Sequence, residues 1–211
     1  MKLNLIFLLT TILFSLMILM ESCSSSTLVD VWNDPAFHGP SLKKILVIAI
    51  RKDPALRRIW EDAFVNELSK YNVSATSSYQ IFPDALPDTN QVIQIVQDKG
   101  FDGIITTRIL LPGTQYNYVQ GYQTNEKLLP YNKFTKRYDI FNIEIKHPGY
   151  VESQVVDRRA IDVWSILNGE RMVWNAISNS PERFTVVDVQ NDIADLVIPA
   201  LLKDSIITSV K

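Results

Sequence analysis

The chain has 211 residues, with 21 Lys and Arg against 23 Asp and Glu, for a formal net charge of −2. That balance excludes the basic stripe that neutralises phosphates along a nucleic acid, so no nucleic-acid partner is expected. A single cysteine excludes an internal disulfide framework and a cysteine-rich metal site, so packing alone must hold the fold.

The chain begins with one early cation, Lys2, then an uncharged run from Leu3 to Met20, then Glu21-Ser22-Cys23 and a serine cluster. A basic start, an apolar stretch and a small residue before a break are the parts of a secretory signal. The only cysteine stands directly after that break. This arrangement resembles the signal of bacterial lipoproteins, in which a lipid is attached to the cysteine thiol and the mature chain starts there. The resemblance implies a signal peptide over 1–22 and an acyl anchor, such as palmitate, on Cys23. Two other readings fit the same residues. The run approaches the ~20 residues that span a bilayer and could remain as an uncleaved anchor, or it could be an ordinary secretory signal. Acylation explains why the one cysteine occurs, and why it occurs at this position. By the same resemblance Ser24, where an aspartate signals inner-membrane retention, implies an outer-membrane lipoprotein facing the periplasm.

Residues 23–41 read as a tether and irregular lead. Ser24-Ser25-Ser26-Thr27 is flexible in composition, and Asp34-Pro35 and His38-Gly39-Pro40 are breakers. Trp32 and Phe37 are apolar enough to dock on the domain. Residues 42–204 then read as one α/β domain. Lys44–Ile50 is a continuous, β-branched apolar run, a strand covered on both faces. Asp53-Pro54 starts a helix running to about Tyr71, with Trp60, Phe64 and Leu68 on one stripe. Val73–Thr76 is a second strand. Asp88 or Thr89 caps a second helix that ends at Gly100, and Ile104–Leu110 is a third strand. Strand, helix, strand, helix, strand predicts a mixed sheet with crossover helices.

After Pro112 the composition shifts to Tyr, Gln, Asn and Thr. Alternation returns at Phe141, Ile143 and Ile145, and a long strand follows within Val151–Ile166. Asn168-Gly169 predicts a hairpin turn, with Met172, Trp174 and Ala176 on the return strand. Ser180-Pro181 opens a C-terminal helical region, in which Pro199 predicts a kink or an early end.

The pieces "ILVIAI", "KGFDGIITTRIL" and "AIDVWSILNGERMVWNAIS" resemble a group of bacterial lipoproteins of unknown function. These are similar in plan to the periplasmic domain of the curli-secretion channel subunit and to lipoprotein activators of peptidoglycan synthases. The resemblance implies a lipid-tethered α/β domain with a binding or envelope-assembly role and an envelope protein as partner.

No motif assigns a reaction. His38 and His147, the only histidines, lack metal-ligand spacing, and no G-x-S-x-G surrounds a serine. No catalytic set, metal or cofactor is therefore expected. The glycine-rich loop of a nucleotide site is replaced by Arg51-Lys52-Asp53-Pro54 after the first strand. Asp157 and Arg159 fall on one face of the long strand, Arg158 and Asp162 on the other. They read as ion pairs on a solvated face, or as an anion clamp. Asp102 reads as a turn or cap. The candidate binding surface is Tyr116, Tyr118 and Tyr122, since tyrosine joins apolar area to a hydroxyl and is enriched in binding surfaces. The alternative is that this face packs on the domain's own core. For the whole chain, the alternative function is a periplasmic hydrolase whose site assembles only in the fold.

Overall fold

A computed structural model describes residues 26–167, 169–181 and 186–209. Cys23, the signal run and Asn168 lie outside them. The lead contains a strand, β1 (Thr27–Asn33). Then β2 (Lys44–Ile50), α1 (Pro54–Lys70), β3 (Ser74–Ser77), α2 (Thr89–Lys99) and β4 (Gly103–Ile109) follow the predicted order, shifted by a residue at some ends. The tyrosine-rich segment is also strand: β5 (Gly113–Val119), β6 (Tyr122–Leu128), β7 (Tyr131–Asn132), β8 (Arg137–Tyr138) and β9 (Phe141–His147). The chain closes with β10 (Tyr150–Ser165), β11 (Arg171–Pro181) and α3 (Val186–Lys203).

The main sheet runs β1-β11-β10-β4-β2-β3, with β5 also paired to β10. Its strand β2 is parallel to β3 and β4, as two crossover helices require. From β4 outward the pairing is antiparallel. This is the mixed α/β fold read from the sequence.

Local chemistry sets the element ends. The Asp53 carboxylate accepts from the Ala55 and Leu56 amides at 2.8 and 3.2 Å, and Pro54 occupies a position that needs no amide donor. Asp88 and Gln91 cap α2 reciprocally, and Gly100 ends it at φ 62°, a conformation costly for any residue with a Cβ. Asp102 is a clasp: its two carboxylate oxygens accept from the Lys43 and Lys44 amides at 2.8 and 2.9 Å, tying the start of β4 to that of β2.

Alternation along β2 divides the core. Ile45, Val47 and Ala49 face Trp60, Phe64 and Leu68 of α1 and Ile193, Val197 and Leu201 of α3. Leu46 and Ile48 face Val96 and Phe101 at α2. A buried carboxylate locks the first of these layers. Glu61 Oε1 accepts from the Ala49 amide, Arg57 Nε and Ser78 Oγ at 3.0, 3.0 and 2.6 Å, and Oε2 accepts from the Tyr79 amide at 2.8 Å. Arg57 donates onward to the Phe82 and Ala85 carbonyls, both at 2.9 Å. Both charges in this knot are partnered, the condition under which a buried ion pair is tolerated.

One expectation fails near the C-terminus, and one alternative of another is excluded. Ser180-Pro181 does not open a helix: both residues still pair with β10, opposite Asp157 and Val156. Proline is permitted there because β1 pairs β11 only as far as Asn179, which leaves Pro181 on an edge. Pro199 does not end α3, which continues to Lys203. Val197, Ile198 and Leu201 around it are fully buried, and their packing outweighs the hydrogen bond that proline removes.

Phe64→Ala should cost about 3–5 kcal/mol in denaturant melts of a fragment starting at Ser24, and a loss under about 1 kcal/mol would place α1 outside the core. Glu61→Ala should cost a similar ~3–5 kcal/mol, because it strands the Arg57 guanidinium. A cost near zero would mean that Arg57 finds water or another acceptor.

An amphipathic ribbon as candidate interaction surface

Residues 113–156 form one two-stranded ribbon. Gly113 pairs with Val156, Val119 with Tyr150, Tyr122 with His147, Leu128 with Phe141 and Tyr131 with Tyr138, in a register that never slips. From Gly113 to Leu128 this spans about 50 Å. The strands approach closely at Gly121 and Gly149. A Cβ on Gly121 would strike the partner backbone, and one on Gly149 would strike the Tyr118 ring. At the tip, the Asn132 side chain accepts from the Phe134 and Thr135 amides at 3.0 and 3.3 Å and donates to Asp139 at 2.9 Å. Phe134 there is 99 % exposed.

Opposed residues of an antiparallel pair share a face. One face of the ribbon therefore carries Tyr116, Tyr118, Tyr122 and Leu128 with Val155, Val151, His147, Ile145, Ile143 and Phe141, interrupted by Ser153, Thr124 and Glu126. The other carries Gln115, Asn117, Gln123, Asn125 and Lys127 with Gln154, Glu152, Lys146, Glu144 and Asn142, and also the pair Val119 and Tyr150. Tyr116 and Tyr118 share a face of β5, whereas Tyr122 lies not on the same strand but on β6, past a two-residue break. They are 70, 70 and 61 % exposed, so they do not pack on the domain's own core.

Aromatic contacts along the ribbon stay within it. Tyr122 stacks on His147 with centroids 4.4 Å apart, and His147 Nε2 lies 3.3 Å from Thr124 Oγ1. Tyr131 meets Tyr138 edge-on at 5.2 Å. The spacing of the tyrosines in sequence reveals alternation, but it does not reveal that Tyr122 faces His147. That follows only from the register.

The remaining candidates lie elsewhere. His38 borders a shallow hollow with Asp34, Asp204 and Ser205. Both carboxylates are engaged there, Asp34 by Arg171 and Asp204 by the Trp174 indole at 2.9 Å. Asp162 pairs across strands with Arg108 at 3.4 Å and takes a donor from Asn175. Arg159 meets Asp157 along its own strand at 3.3 Å. On the α2 side of the sheet a cleft of about 580 Å³ is lined by Ile48, Ile50, Val92, Ile104, Arg108 and Trp164, among others. No stretch of the sequence signals this cleft, since its walls come from separate segments.

No protein-family model matches the chain, and no curated protein matches it. Among solved structures it is similar to a point variant of the PelC dodecamer from Paraburkholderia phytofirmans, at 12 % identity and a TM-score of 0.45 over 88 % of this chain and 99 % of that one. A second PelC dodecamer from the same organism aligns at 11 % identity and 0.43, over 87 and 98 % of the two chains. A PDZ domain protein from Parabacteroides distasonis aligns at 12 % and 0.35, over 84 % of this chain and 35 % of that one. Likeness at this level says nothing about what the chain does.

Proposed function

We propose that this chain is an outer-membrane lipoprotein, anchored through Cys23, whose periplasm-facing α/β domain is a non-catalytic assembly module. In this reading the tyrosine face of the ribbon docks on an envelope protein. The observation that carries it is a row of exposed tyrosines and aliphatic side chains along β5, β6, β9 and the first half of β10 that the domain leaves uncovered. Exposed apolar patches of this extent mark interaction sites, and tyrosines are common hot spots within them. An isolated two-stranded hairpin is marginally stable in water, so a partner on that face would also stabilise the ribbon.

The anchor and the ribbon leave the domain at the same end. Thr27 pairs with Asn179, Asn179 with Arg158, and Val156 with Gly113 at the ribbon's base. Ser26 is already fastened, its amide to the Asp192 carboxylate and its hydroxyl to Ser180 at 2.8 Å. Three residues from Cys23 to Ser26 reach about 10 Å at most. With the proposed acyl group on Cys23, the base of the ribbon would be held close to the lipid surface, where membrane-embedded or membrane-associated partners are.

Replacing Cys23 with Ala should abolish lipid labelling and leave the precursor uncut by the lipoprotein peptidase; equal labelling of the variant would refute the anchor. For the surface, a photo-crosslinking residue at Tyr118 or Tyr122 should trap a protein adduct in cells, and one at Asn117 on the opposite face should not. Adducts of equal yield from both faces, or none from either, would contradict docking. The triple change of Tyr116, Tyr118 and Tyr122 to Ser should leave the domain's stability within about 0.5 kcal/mol while removing the Tyr-face adduct partner from pull-downs. Global unfolding of that variant would make the face part of the core instead.

A further inference from the structure

Among the described residues, one cluster of charge is left unbalanced. Arg51 follows the carboxyl end of β2, the side of a parallel sheet where ligands bind in open α/β folds. Its guanidinium lies 4.8 Å from the centre of the Trp60 ring, and that of Arg159 lies 5.0 Å from the same centre. Two cations thus crowd one indole. Arg159 is only 9 % exposed, yet its Nε and Nη1 have no hydrogen-bond partner among the described residues. Arg51 Nε and the Trp60 indole N–H are buried and equally unpartnered there. Ser178, the cross-strand neighbour of Arg159, has a buried hydroxyl without a partner as well. The countercharge among the described residues is Asp157, which reaches Arg159 Nη2 at 3.3 Å and is itself half exposed.

Buried donors without acceptors are costly, and buried guanidinium donors more so than neutral ones. The crowding registers in the titration of the pair. Burial, reinforced by the positive charge of Arg159, pushes Arg51 down to about 10. Burial also lowers Arg159, against the opposing pull of Asp157. Among the described residues, after Asp157 is counted, the cluster retains one uncompensated positive charge. The unused groups are hydrogens on two forked guanidiniums and an indole, with the Ser178 hydroxyl beside them.

We propose that Arg51 and Arg159, gathered over Trp60 at the carboxyl end of β2, bind a phosphate group. Guanidinium forks match the paired oxygens of a phosphate, and one negative charge balances the cluster. Arg51 is half-buried, so it gives the anion a way in from solvent. The site does not depend on the tyrosine ribbon having a partner, although it lies on the same face of β10, two alternate positions beyond Val155.

Two sources share this chemistry: free phosphate and the phosphodiester of a lipid headgroup. The test titrates the full chain in a non-ionic detergent with inorganic phosphate, and separately with glycerophosphoglycerol, against chloride at matched ionic strength. The readouts are the melting temperature and the ¹⁵N–¹H signals of the arginine Nε groups. At least one of the two probes should raise the melting temperature saturably and shift the Arg51 and Arg159 signals, and the tighter of them names the source. Arg51→Gln should weaken that response about ten- to a hundredfold, the loss of one charged hydrogen-bonding partner, while Arg58→Gln should not. Responses no larger than those to chloride, or an undiminished response in Arg51→Gln, would overturn the site. If Arg51→Gln fails to fold, the arginine signals of the unaltered chain decide alone.

Discussion

The structure depends on the period of one strand. β10 is 16 residues long, and its two halves have different surroundings. From Arg159 onward it lies at the centre of the sheet, between β4 and β11, with Ile161 and Val163 buried under the helices. Before Val156 it is one side of the ribbon. Its pairing with β11 does not slip between Val156 and Val163. Side chains alternate strictly along an unbulged strand, so the face that packs on α1 and α3 is the face that continues as Val155 and Val151 in solvent. The apolar stripe of the ribbon is thus the core face prolonged past the end of the helices. The partner segment accommodates this with one extra residue between Ile109 of β4 and Gly113 of β5, where the register to β10 shifts.

That constraint explains how a tightly packed domain and an uncovered arm coexist in one sheet. The domain end is stabilised by the Glu61 knot, the Asp102 clasp and two apolar layers, all closed by residues between Leu42 and Ile207. The ribbon end has cross-strand pairs such as Tyr122–His147 and Tyr131–Tyr138, each a small contribution. Between the two sits the arginine pair over Trp60, at the point where the helical layer stops. Ser26, the ribbon base and the arginine pair all fall at this end of the sheet.

Much of the packed half is legible in the sequence because local and tertiary signals agree there. The unbroken run of β2, the Asp53-Pro54 start and the Asp88–Gly100 bounds each have a mechanism confined to a few residues. β1 escapes a sequence reading because Asp30 and Asn33 dilute its alternation and it borrows its pairing from β11, about 150 residues away. The end of β11 misleads for a related reason: proline is a strong local signal that the pairing with β10 overrides. The ribbon reads in sequence as a tyrosine-rich candidate surface followed by an alternating stretch, and not as one paired arm. Alternation at Phe141, Ile143 and Ile145 is visible, but hairpin register is a relation between two segments, and nothing in either one states it. The arginine pair shows only as half of a charge pattern on one strand, since its second member follows a strand more than 100 residues earlier.

The proposed docking predicts that the ribbon, which its own domain leaves uncovered, is loose when the partner is absent. Amide hydrogen exchange reads this directly, comparing the full chain purified in detergent with the same chain in its native envelope membranes. In detergent, amides of β6 and β9 should exchange orders of magnitude faster than those of β2 and β4, and in membranes they should slow toward the sheet's own rate. Ribbon amides as protected as β2 in the purified chain, or equally unprotected in both settings, would contradict a partner-covered face.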